Sequence, residues 1–166
     1  WMVHSREVGE SRLTSEEMVA RGLDFLEQRG FTTLHATDFQ LLQHRATITF
    51  VPARDGILRY GEPLKVQVSA ADGSILGFWG TPYYLAQGRE VKLDPATEIE
   101  WETEEKIRAG LKILDQKLAL VETADHGEVL TTRLGVQHQD DYYLIYLNAQ
   151  TGEEEQIVQV SSPLFF

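Results

Sequence analysis

The chain has 166 residues, of which 42% are hydrophobic and 25% charged, a balance that supports a buried core and argues against a disordered polypeptide. Acidic residues outnumber basic ones 26 to 15, and the net charge of -11 disfavours contact with nucleic acid phosphates or anionic lipid. The absence of cysteine excludes disulfides, thiolate metal sites and a cysteine nucleophile, and no apolar run is long enough to span a bilayer.

Residues 1–11 read as a tail, and a first unit is expected over 12–80. LTSEEMVARGLDFLEQR, residues 13 to 29, predicts a helix: Thr14 and Glu17 have capping-box spacing, and Met18, Val19, Leu23, Phe25 and Leu26 recur near helical spacing. Gly30 supplies the left-handed stop. Strands follow in FTTLHATDFQLLQ and ATITFVP, the second with Ile48 and Phe50 on one face and Thr47 and Thr49 on the other. ARDG reads as a turn, ILRYGEP leads into KVQVSAADGSILGFW, and Asp72-Gly73 is the hairpin turn inside it. A connector over 81–101, punctuated by Pro82, Gly88 and Pro95, comes next.

The order then repeats over 102–166. TEEKIRAGLKIL at 103–114 matches SEEMVARGLDFL at 15–26, a spacing of 88, and predicts a second helix. LALVETA, GEVLTTRLGVQ and YYLIYLNAQTGEEEQIVQV supply strands, and Thr151-Gly152 falls where Asp72-Gly73 stands, a spacing of 79. The expectation is an α+β fold of two tandem units, each one helix packed on a roughly four-stranded antiparallel sheet.

No nucleophile elbow, phosphate loop, dinucleotide glycine motif or calcium loop occurs. His35 and His44, or His126 and His138 beside Asp140 and Asp141, read as scattered groups near strand ends, so no metal and no cofactor are expected. Glu16 with Glu17, and Glu104 with Glu105, fall in predicted first helical turns, where the helix dipole favours negative charge. They are assigned to capping, and no catalytic residue is named. Trp79, Tyr83 and Tyr84 form the densest aromatic group; they are expected to pack the junction between the units or to anchor a partner or a glycan chain. Five glutamates between 98 and 105, and then Glu153, Glu154 and Glu155, make an acidic face that is either merely solvated or meets a basic partner. The terminal PLFF is a docked tail or an exposed sticky end.

ATITFVPARDGILRYGEPLKVQVSAADGSILGF and YYLIYLNAQTGEEEQIVQV resemble the tandem PepSY domains in the C-terminal part of the YpeB spore germination family, a likeness spanning about residues 12 to 160. The first copy carries it through Lys65, Val66, Val68, Asp72, Gly73, Ile75, Gly77 and Phe78. In the second copy the matching residues are Leu144, Ile145, Tyr146, Asn148, Thr151, Gly152 and Glu153. Where the family has Tyr-Pro-Asp before the Lys-Val strand, this chain has Tyr60-Gly61-Glu62-Pro63. The resemblance implies a non-enzymatic protein of endospore formers, held outside the inner spore membrane near the cortex by an N-terminal anchor absent from this chain. It also implies a partner, a SleB-like cortex-lytic peptidoglycan hydrolase that the module binds, stabilises and restrains until germination. PepSY units in protease propeptides again imply inhibition or chaperoning, and binding to peptidoglycan itself is the alternative.

Overall fold

A computed structural model describes residues 13–88, 110–123 and 127–166. Helix α1, Ser15–Glu27, opens on Thr14, whose side-chain oxygen accepts from the Glu17 amide at 3.2 Å while Glu17 Oε2 accepts from the Thr14 amide at 2.8 Å. This exchange satisfies two amides that a helix start would otherwise leave without partners. After Gln28 the chain turns at Gly30, φ 86°, so that the Phe31 amide reaches back to the Leu26 carbonyl. Met18, Val19 and Leu26 are buried on the sheet side of α1. Gly22 lets the helix approach β2, because a Cβ there would stand 3.1 Å from the Phe50 ring.

The sheet is built from β1 (Leu34–Leu42), β2 (Arg45–Arg54), β3 (Ile57–Arg59), β4 (Leu64–Ser69), β5 (Ile75–Trp79), β6 (Lys112–Thr123), β7 (Gly127–His138), β8 (Asp141–Asn148) and β9 (Glu154–Val160). A short helix α2, Thr81–Ala86, follows β5, and a 3-10 helix, Pro163–Phe165, follows β9. Alternation explains the buried face of the first half: Ala46, Ile48 and Phe50 of β2 stand against Val68, Val66 and Leu64 of β4, and all six turn towards α1.

One continuous sheet takes the place of the two expected. Its order is β5-β4-β2-β3-β6-β7-β8-β9, with β1 beside β2, and every pairing is antiparallel except β3 with β6. The physical reason is the ARDG turn. Asp55 and Gly56, at φ 52° and 78°, fold a tight hairpin that presents Ile57, Leu58 and Arg59 to Leu118, Ala119 and Leu120. A second core gathers where the halves meet, from Val51 and Leu58 on one side and Ala119, Val121, Leu144 and Tyr146 on the other.

The repeat is legible in the hydrogen bonds of the two turns. Ser69 donates to the Ser74 carbonyl and Gly73 to the Ser69 carbonyl, at 2.9 and 2.8 Å; Asn148 donates to the Glu153 carbonyl and Gly152 to the Asn148 carbonyl, at 2.8 and 2.9 Å. Both glycines have φ 75°. The helix expected over 103–114 lies outside the described residues as far as 109. Its last part is not helical: Gly110 turns at φ 105°, and Lys112 and Ile113 pair with Gln137 and Val136 as the start of β6. Sheet pairing overrides helical spacing there. The terminal PLFF docks: Phe165 is 2% exposed within the α1-side core, and Phe166 lies over Gly135.

Candidate functional site

The three aromatic residues singled out in the sequence gather where β5 runs into α2, yet they face three ways. Tyr83 turns inward, its ring 5.1 Å from Phe31 in an edge-on contact and 5.8 Å from the Arg54 guanidinium. Tyr84 touches Phe31 and Tyr83 at 6.2 and 5.6 Å but is 58% exposed, and the adjacent Leu85 is 74% exposed. Trp79 projects from the sheet, opposite Lys65 of β4 and over Gly77. Pro82 near the start of α2 and the tight site of Gly80, where a Cβ would come within 2.9 Å of Leu64 and Phe78, hold this corner against the first core. Among the described residues the two tyrosines pack on Phe31 of the first core, and the expected junction packing is not among their contacts.

A different group occupies the junction, one that the sequence reading missed. Arg133 of β7 is fully buried; it donates to Asp115 Oδ2 at 2.6 Å and to the Tyr60 hydroxyl at 3.3 Å. Lys117 donates to both Asp115 oxygens, at 2.9 and 3.0 Å, and the Tyr60 and Tyr146 rings meet edge-on at 5.6 Å. Burial opposes the charge on Asp115, but the hydrogen bonds and charges of Lys117 and Arg133 outweigh it and hold the carboxyl below its ordinary range. Partial burial, then the charges of Lys117 and Arg133, lower His35 against the pull of Asp115. Burial and Tyr60 push the Tyr146 phenol up. The sequence signal for this network was an arginine in the middle of β7, in step with Thr131 on an inward face.

The acidic residues stand elsewhere. Glu153 and Glu154 are exposed at the β8–β9 turn, while Glu155 Oε1 accepts from Asn148 Nδ2 at 2.8 Å and so helps to brace that turn. This turn and the aromatic corner belong to opposite edge strands, with six strands between them in the sheet order. Among the described residues no three His, Asp or Glu side chains gather as metal ligands; His126 and the 98–105 glutamates lie outside the described residues.

A family described as "YpeB sporulation, PepSY1 and PepSY2 domains" matches residues 1–92. The sporulation protein YpeB of Halalkalibacterium halodurans is 25% identical over 167 residues, covering 99% of this chain and 37% of the relative. That of Bacillus subtilis is 23% identical over 164 residues, covering 98% of this chain and 36% of the relative. The chain thus spans little more than a third of either relative's length. The solved C-terminal domain of Bacillus megaterium YpeB superposes with a TM-score of 0.85 at 22% identity, over 95% of this chain and 70% of that one, and has the same fold.

Proposed function

Because the chain belongs to the YpeB sporulation protein family, we propose that it is a non-catalytic interaction module that binds a SleB-like cortex-lytic peptidoglycan hydrolase, stabilises it and holds it inactive until germination. The reading takes the chain as two tandem PepSY-like units, supported by the turn repeated at Asn148–Glu153. It places the module outside the inner spore membrane, at the cortex.

The observation that carries the reading is Tyr84 with Leu85, an aromatic and a leucine side by side and mostly exposed at the end of α2. Side chains of this kind supply the desolvated centre of a protein interface. Three carboxylates among the described residues are committed to internal partners: Asp115 to Arg133 and Lys117, Glu62 to Arg54, and Glu17 to the start of α1. Such groups hold structure, which suits a binding module. Glu153 and Glu154, within a net charge of -11, steer a cationic surface towards the chain.

The test mixes the purified chain with the hydrolase and follows complex formation and muramidase turnover. A salt-sensitive complex with reduced turnover is expected, weakened roughly tenfold or more by Tyr84→Ala or Leu85→Ala. Glu153→Lys with Glu154→Lys slows association and leaves dissociation unchanged. Full turnover with no complex at about 50 µM chain, a concentration that detects even weak association, rejects the reading.

A further inference from the structure

We propose that the outer face of β2, β4 and β5 binds a neutral glycan chain, with the Trp79 indole as its stacking platform. The opposite face of these strands is filled by α1, and among the described residues no helix covers this one. Register sets out two rows across it: Trp79, Lys65 and Thr49 in one, and Gly77, Gln67 and Thr47 in the other. Strands stand about 4.8 Å apart, so Thr49 lies about 10 Å from Trp79, a span of about two sugar rings.

Gly77 builds the platform. A Cβ at that position would meet three atoms of the indole's six-membered ring, Cη2 at 2.7 Å, Cζ3 at 3.1 Å and Cζ2 at 3.3 Å. With no side chain beneath it, the ring lies flat along the strand and turns its other face outward, 53% exposed. An aromatic face is apolar and electron-rich, and it complements the C–H face of a pyranose ring. Gln67, Thr47 and Thr49 provide uncharged donors and acceptors for hydroxyl and amide groups, and Lys65 is exposed beside the ring. The rows hold one cation, Lys65, and where they run on into β1 one carboxylate, Asp38 opposite Thr49, so their charges cancel, a combination that favours a neutral chain over a polyanion. Tyr84 and Leu85 are not in either row, so glycan binding and hydrolase binding can be lost separately.

The test sediments the chain with insoluble chitin, a neutral polymer of N-acetylglucosamine, and with peptidoglycan stripped of its stem peptides, whose freed lactyl carboxylates make it a polyanion, and titrates it with chitotetraose while following the Trp79 indole N–H by NMR. Retention is expected on chitin and no tighter on the stripped polyanion, together with a shift of the Trp79 signal. Trp79→Ala and Gly77→Ala should each lower retention at least tenfold with thermal melting preserved. Gln67→Ala provides a milder loss that does not disturb the ring, and Tyr84→Ala should bind as the parent does. No retention on chitin, equal retention by Trp79→Ala, tighter retention on the stripped polyanion than on chitin, or loss on Tyr84→Ala alone would each overturn the proposal.

Discussion

Asp115 stands between two cations, and His35 faces the same two cations across the junction. The fold therefore favours a neutral imidazole at His35, whose proton affinity drops on folding through burial and through Lys117 and Arg133. The unfolded chain takes up that proton near its ordinary pKa of about 6.5, and the folded chain only at lower pH. Stability from this group is thus complete above about pH 6.5 and declines as the pH falls below it, levelling beneath the folded value. Calorimetry of His35→Gln should show the slope between about pH 7 and pH 5 flattened relative to the parent. An unaltered slope would refute this assignment. Asp115, depressed in the fold, adds a further loss as the pH falls below about 4, through the ordinary carboxylate range. Beyond the arginine within β7, little of this was legible in the sequence, since Tyr60 stands 73 residues from Arg133 and meets it only because β3 and β7 both lie beside β6. The Thr14–Glu17 cap was legible, because both partners sit within one helical turn.

That cap decides how α1 begins, and α1 covers the first sheet. Thr14→Ala removes one acceptor and frees Glu17 from its reciprocal bond, with an expected cost of about 1 kcal/mol in urea unfolding. A change below about 0.3 kcal/mol would mean that the exposed helix start is satisfied equally well by water. The strands were readable for equally local reasons: β2 and β4 alternate buried and less buried positions, and Asp-Gly and Thr-Gly mark turns with a glycine at positive φ. Two elements were not. α2 has six residues, too few for a period to declare itself, and β3 has three, whose place depends wholly on a partner strand far along the chain. Lys112–Leu114 failed in the opposite sense. A helical pattern copied from 15–26 was present, but the chain there serves a strand with Gln137 and Val136 opposite.

The whole molecule is fastened twice, once by β3 against β6 and once by the C-terminal residues. Ser162 Oγ accepts from the Leu164 amide at 3.1 Å and sets the 3-10 helix, from which Phe165 enters the α1-side core beside Phe39 while Phe166 returns to Gly135 and Tyr142. Phe165→Ala should cost about 3 kcal/mol or more and, by loosening one fastening, broaden thermal unfolding so that near- and far-ultraviolet signals no longer coincide. A coincident transition with an unchanged midpoint would show that the hook bears no load. The sequence left this tail undecided because two adjacent phenylalanines look alike whether docked or exposed. The β3–β6 contact joins positions about 60 residues apart, whereas the other pairings link strands that are close in the chain. Closing so long a loop forfeits chain entropy before three residue pairs repay it, so local hairpins assemble early and the seam between the halves zips last. On a ribosome, the first meander has time to fold before its neighbour is synthesised, and an immature chain briefly offers β3 as an unpaired edge to chaperones or to a sister molecule.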